Sequence, residues 1–139
     1  MEDLLNKEPV KRVLKALSDF DESLKVETLI SSARTAKDAS ESLKTEVGSI
    51  VKSLLLRTKS SFLLCLVAGD KRCSLNKIKK LLNEKDVSMA SAEQVKEITG
   101  FTIGGVSPVG HLNKIDIFID HSLERFENVF AAAGHPNSI

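Results

Sequence analysis

The sequence contains no tryptophan and no tyrosine, and its only aromatic side chains outside histidine are six phenylalanines. Proteins that bind single-stranded nucleic acid by stacking usually place bases on exposed aromatic rings. Few contacts of that kind are therefore expected here. Leucine, isoleucine, valine and phenylalanine must fill the interior, and hydrophobic residues make up 42% of the chain, which is enough for one ordinary core.

Cysteine, histidine and long apolar runs are also scarce. Cys65 and Cys73 lie eight positions apart with only three histidines in the chain, which does not match the paired ligand spacing of a zinc site. We therefore expect reduced thiols, no metal and no cofactor. No apolar run is long enough to cross a bilayer, and the charged start MEDLLNKEPVKRV is unlike a secretory signal. Together these features predict a cytoplasmic protein without a membrane partner.

Neither sign of charge dominates the sequence. Lysine and arginine total 20, aspartate and glutamate total 19, and the net charge is +1. This balance argues against a protein that wraps a long stretch of nucleic acid, although it permits a local basic patch. The length of 139 residues fits one domain, and no linker or internal repeat interrupts it. We expect a single domain over residues 1–139.

Hydrophobic periodicity and capping residues predict alternating helices and strands. The predicted helices are residues 8–20, a short helix that begins after Thr35, residues 74–83, 91–100 and 121–126. The predicted strands are residues 24–30, 47–58, 61–70, 86–90, 115–120 and 128–134, of which the second and third form a hairpin. This order is typical of an α/β fold with a mixed, twisted and partly barrel-like sheet flanked by helices.

One lysine lies inside the apolar predicted strand 47–58. Side chains alternate across a strand, so Lys52 shares the more apolar face with Ile50, Leu54 and Leu56. An unpaired ammonium group in such a place is costly. Either its stem is buried while its charged end reaches solvent at an edge, or it pairs with an anion. A phosphate of a ligand would serve as that anion.

A glycine-rich loop precedes the predicted strand 115–120. Three glycines and Pro108 fall within the seven residues from Gly104 to Gly110. Glycine leaves the backbone N–H groups unobstructed, and such donors can bind an oxyanion or a carbonyl oxygen. The spacing matches neither a nucleotide P-loop nor the GxGxxG motif. A plain tight turn between a helix and a strand is the alternative.

The C-terminal segment AAAGHPNSI carries a third candidate feature. The backbone at Gly134 can approach a ligand closely, and Pro136 biases His135 to an extended conformation. His135 could donate to a substrate or transfer a proton; the alternative is an exposed turn histidine. No serine lies in a GxSxG motif, and the apolar surroundings of Cys65 disfavour a thiolate. A hydrolase with this sequence would therefore lack a covalent side-chain nucleophile.

Taken in order, several segments resemble the YbaK/prolyl-tRNA-synthetase-associated editing domain family. They are IVKSLLL, VAGD, SLNKIKKLL, ITGFTIGGVSPVG, IFIDHSL and AAGHPNS. The resemblance extends over residues 35–139, and the predicted helix 8–20 precedes it. Its most specific part is residues 98–110, followed by Lys52 in its strand.

The resemblance implies a trans-acting aminoacyl-tRNA deacylase that hydrolyses the ester of mischarged tRNA. The implied substrate is tRNA for proline carrying a small amino acid such as alanine, cysteine, serine or threonine, with prolyl-tRNA synthetase as a second candidate partner. Water attack assisted by the ribose hydroxyl of the substrate is the implied chemistry. Lys52 receives a catalytic role, and substrate binding falls to Gly104, Gly105, Val106, Ser107, Pro108, Gly134 and His135.

A non-catalytic module of the same fold, binding RNA or a nucleotide or regulating a partner, is the alternative. A basic run could contact acceptor-stem phosphates or form a solvated helix face: Lys71, Arg72, Lys77, Lys79 and Lys80. Ile139 stands near the place where one cysteine-editing branch of the family carries an acidic residue. Relatives usually continue past this loop with a strand and a helix, so we expect a shortened member or a missing tail.

Overall fold

The structure, a computed structural model, describes residues 3–31 and 35–139. Residues 1–2 and 32–34, which belong to the predicted domain range 1–139, lie outside the described residues. The helices are α1 (Glu8–Phe20), α2 (Ala36–Leu43), α3 (Leu75–Leu82) and α4 (Ala92–Thr99). The strands are β1 (Ile50–Arg57), β2 (Phe62–Ala68), β3 (Ser88–Met89), β4 (Asp116–Ile119) and β5 (Phe130–Ala131). Short 3-10 helices occupy Leu4–Asn6, Val47–Ser49 and His121–Arg125.

Side-chain caps fix the starts of three helices. The hydroxyls of Thr35, Ser74 and Ser91 accept backbone N–H groups in the first turns of α2, α3 and α4. Gln94 returns a bond to the backbone of Ser91 and completes a capping box. Gly100 ends α4 in the left-handed conformation at φ 81°. The helix boundaries predicted from these residues are confirmed.

The strands form a mixed sheet in the order β3-β1-β2-β4, with β5 also paired to β1. The β1–β2 hairpin is antiparallel and pairs Lys52 with Val67 and Leu54 with Cys65. Strands β4 and β5 run parallel to their neighbours β2 and β1, and β3 runs antiparallel to β1. The predicted mixed sheet is confirmed, and it is open rather than closed into a full barrel. No helix within the two described ranges is long and apolar enough to cross a membrane.

Both faces of the sheet are buried. Val51, Leu55 and Leu64 belong to a cluster that includes residues of α1, α4 and the loop after α4. Leu56 and Cys65 belong to a second cluster with Ile78 of α3. The prediction that the Lys52 face is the more apolar one is therefore incomplete, because alternation cannot show that layers cover both sides of a central strand.

Three predicted strands are reduced in the structure to an isolated bridge or to two residues. Residues 24–30 form only an isolated bridge, Thr28 to Ser138. Residues 86–90 reduce to β3, and residues 128–134 reduce to β5. The chain turns away after β5 because Gly134, at φ 93°, packs against the backbone at the start of α1. The predicted helix 121–126 is a five-residue 3-10 helix.

We predict that replacing a leucine in the centre of β2 strongly destabilises the fold. Leu64 is fully buried, whereas Leu81 on α3 is 72% exposed. Leu64→Ala should lower the free energy of unfolding by about 2–5 kcal/mol through lost contacts and a cavity. Leu81→Ala should change it by about 0.5 kcal/mol or less. Urea unfolding followed by circular dichroism measures both, and equal effects would contradict the described core.

Candidate functional site

A cleft of about 350 Å³ opens beside the first half of β1. On this edge of β1, β5 pairs only with Ile50 and Val51, and β3 pairs only with Leu56 and Arg57. The intervening positions have no partner strand there. Helix α2, the loop after α4 and the C-terminal segment line the cleft together with these exposed β1 positions. The candidate site thus lies along the part of the β1 edge between β5 and β3, where no strand pairs with β1.

Lys52 is one of the residues that line this cleft. The lysine is partly buried, and its Nζ donates to the main-chain oxygen of Lys71, which follows β2. Among residues 3–31 and 35–139, no carboxylate lies within ion-pair distance of it. An ammonium group has three donors, and a carbonyl oxygen does not neutralise its charge. Lys52 therefore retains hydrogen-bond donors, and no described carboxylate pairs with it.

The first half of the glycine-rich loop forms the facing wall. Gly104, at φ 94°, and Val106 line the cleft. The N–H of Gly105 donates to Thr102 O at 2.9 Å, but the N–H groups of Gly104 and Val106 donate to no acceptor in the described part of the chain. Two residues of this wall thus keep backbone donors that have no acceptor in the described part of the chain.

The glycine-rich loop and the C-terminal segment touch through their main chains. The N–H of Gly134 donates to Gly105 O at 2.9 Å. A Cβ on Gly105 would lie 2.9 Å from the nitrogen of His135, and one on Gly134 would lie 2.8 Å from the carbonyl carbon of Pro9. These glycines allow backbone to pack on backbone. In the structure Gly134 approaches α1, whereas the sequence pattern predicts an approach to a ligand.

The other predicted site residues do not line the cleft. Ser107 and Pro108 line a separate cavity of about 500 Å³ next to α1. Ser107 is 1% exposed, and its hydroxyl accepts Val109 N at 3.1 Å. Nδ1 of His135 accepts Asn137 N at 3.0 Å. The structure brings Lys52, Gly104 and Val106 to one cleft, and it places the others outside the lining: Gly105, Ser107, Pro108, Gly134 and His135.

Arg12 of α1 holds both ends of the glycine-rich loop. Its Nη2 donates to Gly100 O at 2.7 Å and its Nε donates to Gly110 O at 3.2 Å. The guanidinium also lies 4.8 Å from the ring centre of Phe101. The planar fork of arginine suits such a double contact. Sequence analysis did not identify Arg12, because nothing in the local pattern of α1 indicates a contact 88 residues away.

His111 makes a hydrogen bond within the same loop. Its Nε2 lies 2.6 Å from Ser107 O. A carbonyl oxygen only accepts, so Nε2 carries the proton. Burial lowers the pKa of His111, outweighing the contact with Ser107 that favours the charged form, and the nearby Arg12 acts in the same direction as burial. The neutral ring therefore supports the loop.

No cysteine is among the described residues that line the cleft. Cys65 lies outside this lining, and burial first, and the neighbouring Cys73 thiol second, raise the pKa of Cys65 to about 12, so its thiolate is negligible at neutral pH. In the described ranges, no group of three or more histidine, cysteine, aspartate or glutamate side chains could hold a metal ion. Sequence analysis also missed Ser53 as a cleft residue: its buried hydroxyl makes no hydrogen bond to the described chain.

Fold and site together define an α/β domain with a ligand cleft at the edge of its central strand, bordered by a lysine and by backbone donors of a glycine-rich loop. The chain belongs to the aminoacyl-tRNA editing domain family, whose sequence model matches residues 30–139. The family predicted from the sequence motifs is confirmed.

Individual relatives agree with this assignment. The chain is 33% identical over 117 residues to a proline--tRNA ligase of Kosmotoga olearia, a match that covers 81% of this chain and 20% of the relative. It thus spans about a fifth of that ligase. It is 35% identical over 108 residues to the protein YwhH of Bacillus subtilis, covering 77% of this chain and 68% of YwhH.

A solved structure extends the similarity to three dimensions. It is that of a protein proposed to be a trans-editing enzyme for prolyl-tRNA synthetase, and it superposes with a TM-score of 0.88 at 39% sequence identity. The match covers 95% of this chain and 84% of the other. The helix α1, which precedes the region matched by the family's sequence model, therefore falls largely within the structural similarity.

We predict that Arg12→Lys loosens the glycine-rich loop although it preserves the charge. Lysine cannot span both carbonyls, so the free energy of unfolding should fall by about 1–3 kcal/mol. Amide hydrogen exchange at residues 100–110 should quicken more than in β2. Lys11→Ala, on the exposed surface of the same helix, is the control and should change neither quantity. Unchanged exchange in the loop of Arg12→Lys would contradict the holding role.

We also predict that Gly105→Ala separates the two touching loops. The added Cβ meets backbone atoms at 2.9 and 3.0 Å, which cannot move as a flexible side chain does. The free energy of unfolding should fall by about 1–3 kcal/mol through overpacking. Thr102→Ala, at an exposed position of the same loop, serves as the control. A Gly105→Ala variant as stable as that control would contradict the close main-chain contact.

Proposed function

We propose that this protein is a trans-acting aminoacyl-tRNA deacylase that hydrolyses the ester of mischarged tRNA, with tRNA for proline carrying a small amino acid as its substrate. One observation carries the proposal. The ammonium of Lys52 has no described carboxylate partner, and it shares a cleft with the unused N–H groups of Gly104 and Val106. A positive charge and carbonyl-binding donors in one cleft suit an ester at the end of a polyanion.

Each cleft residue has a separate role in this proposal. Lys52 is the catalytic residue that anchors the terminal nucleotide through its phosphate and keeps the ester in place. The N–H groups of Gly104 and Val106 bind the ester carbonyl oxygen, where negative charge develops during attack. Gly105, Ser107, Pro108, Gly134 and His135 hold the loop from outside the cleft lining.

The chemical step uses water as the nucleophile. Water attacks the carbonyl carbon, and the bond between that carbon and the ribose oxygen breaks. The ribose oxygen takes up a proton, which leaves free tRNA and a free amino acid. The neighbouring ribose hydroxyl of the substrate assists the water, because Lys52 is the one charged side chain among the described residues lining the cleft.

The walls of the cleft support a small amino acid as the acyl group. Ala36, Ala39 and Val106 contribute apolar side chains to a space of about 350 Å³. One methylene group changes binding in such a pocket by only about 1–3 kcal/mol. Discrimination among alanine, cysteine, serine and threonine is therefore modest.

Similarity to proline--tRNA ligases supports tRNA for proline as the carrier, prolyl-tRNA synthetase as the partner that supplies it, and the cytoplasm as the compartment where charging occurs.

A non-catalytic module that binds the same RNA end is the second candidate. The observation that favours it is the absence of a carboxylate or histidine from the described lining of the cleft, which leaves no side-chain general base. Binding without hydrolysis would then be the activity of the cleft. The two candidates differ in whether the ester is lost.

We predict that the protein deacylates tRNA for proline charged with alanine, cysteine, serine or threonine faster than it deacylates the correctly charged form. Lys52→Ala should lower kcat/KM by about 10²- to 10³-fold, since it removes a charged donor from the reacting end. Lys52→Arg should retain part of the activity. Release of radiolabelled amino acid from each charged tRNA measures these rates. Lys59→Ala, at an exposed lysine of the β1–β2 turn, is the matched control and should equal the wild type.

Two results would contradict parts of this proposal. Ester loss no faster than in buffer for every charged tRNA would reject the deacylase and favour the binding module. Activity of Lys52→Ala equal to that of Lys59→Ala would reject the catalytic role of Lys52 while leaving the deacylase in place.

A further inference from the structure

A second and larger depression lies on the α3 side of the sheet. It has a volume of about 640 Å³ and runs between α3, the end of β2 and the segment from β4 to the following 3-10 helix. We call it the basic groove and define it by Lys71, Arg72, Lys77, Leu81 and Ile119. The proposed reaction does not use any of these side chains.

Positive charge prevails in the basic groove. Lys71, Arg72 and Lys77 are exposed, and no carboxylate among the described residues lies within ion-pair distance of them. One carboxylate, Asp120, also lines the groove, but its oxygens already accept the backbone N–H groups of Ala68 and Ser122. Three unpaired cations against one engaged carboxylate favour a ligand with several negative charges.

The floor of the basic groove is apolar. Leu81 is 72% exposed and Ile119 is 66% exposed, and Phe118 also lines the depression. Exposed apolar side chains surrounded by cations suit a ligand that alternates flat apolar groups with anions. A single nucleic-acid strand has that composition, with bases between phosphates.

One hydrogen bond of Lys52 links the cleft to the basic groove. Nζ of Lys52, a residue that lines the cleft, donates to the main-chain oxygen of Lys71, a residue that lines the groove. On the opposite side, the cleft shares Ile103 with a shallow hollow that contains Glu93, Glu97 and Lys96. Two carboxylates against one lysine repel a polyanion there. A strand whose end occupies the cleft is therefore drawn toward the basic groove.

We propose that the basic groove binds the unpaired 3′ segment of the RNA whose terminal nucleotide occupies the cleft. The side chains of Lys71, Arg72 and Lys77 contact successive phosphates, and Leu81 and Ile119 contact the bases. Of the predicted basic run, Lys79 and Lys80 do not line the groove and have no part in this contact. The inference rests on the proposed function and assigns the route by which that substrate reaches the cleft.

The test compares two double variants with the same loss of charge. Arg72→Gln with Lys77→Gln removes two groove cations, and Lys80→Gln with Lys85→Gln removes two exposed cations outside it. The probe is an uncharged fluorescein-labelled RNA hairpin with four unpaired 3′ nucleotides, and fluorescence anisotropy measures its Kd from low to moderate salt. The groove variant should bind at least about tenfold more weakly, and the slope of log K against log salt should shrink by about 1.4, or 0.7 for each lost contact.

A blunt-ended RNA hairpin and poly-glutamate test whether the groove binds a ligand other than a single RNA strand. The control variant should stay within about threefold of the wild type, and removal of the unpaired nucleotides should abolish the difference between the variants. Equal weakening in both double variants would overturn the groove assignment. Groove-dependent binding of the blunt hairpin would overturn the single-strand assignment. Displacement of the RNA by poly-glutamate at equal affinity would overturn recognition of nucleic acid.

Hydrolysis assays keep this proposal distinct from the proposed function. The groove variant should raise KM for the charged hairpin while leaving hydrolysis of 3′-aminoacyl-adenosine, which has no upstream phosphates, at the wild-type rate. If no ester is hydrolysed by any form but the groove variant still loses RNA affinity, the deacylase fails and the groove stands. If the wild type hydrolyses both esters and the groove variant matches it in KM and Kd, the groove fails and the deacylase stands.

Discussion

The site depends on one unneutralised charge at the start of the central strand. Lys52 is held by the carbonyl oxygen of Lys71 alone among the described contacts, so the fold positions the ammonium without cancelling it. A carboxylate partner would have stabilised it more strongly in isolation and would also have competed with any anionic ligand. The stem of Lys52 lies on the strand face whose next position, Leu54, packs against the α3 cluster. Packing thus orients the side chain, and a neutral acceptor leaves the charge available.

The opposite wall depends on main-chain contacts that only glycine permits. Gly105 and Gly134 bring two loops together without side chains between them, and Arg12 fixes the ends of the first loop. The N–H of Gly105 bonds within the loop to Thr102 O. The flanking N–H groups of Gly104 and Val106 have no acceptor in the described part of the chain. The same geometry explains why Ser107 and Pro108 lie behind the wall: the chain passes from the cleft toward α1 within a few residues.

Local features of the structure could be predicted from the sequence, and contacts between distant segments could not. Thr35 and Ser91 predict the starts of their helices because a cap acts within one turn. The β1–β2 hairpin and Lys52 within it follow from a pattern of neighbouring residues. The length of β5 and the single bridge formed by residues 24–30 depend on where other segments end, which no local pattern contains. Arg12 was missed for the same reason. The cleft lining was only partly predicted, because the loop sequence does not show that Gly104 lines the cleft whereas Ser107 is buried outside it.

The position of Arg12 has an evolutionary consequence. Arg12 lies on α1, before the region that the family's sequence model matches at residues 30–139. It nevertheless donates hydrogen bonds to both ends of the loop that carries the most specific family motif. Substitutions in this leading helix can therefore alter the conformation of the glycine-rich loop while the shared signature stays intact. Relatives that differ at this helix could differ in loop geometry without any change that a motif comparison would detect, and grafting α1 between them offers a way to exchange that geometry.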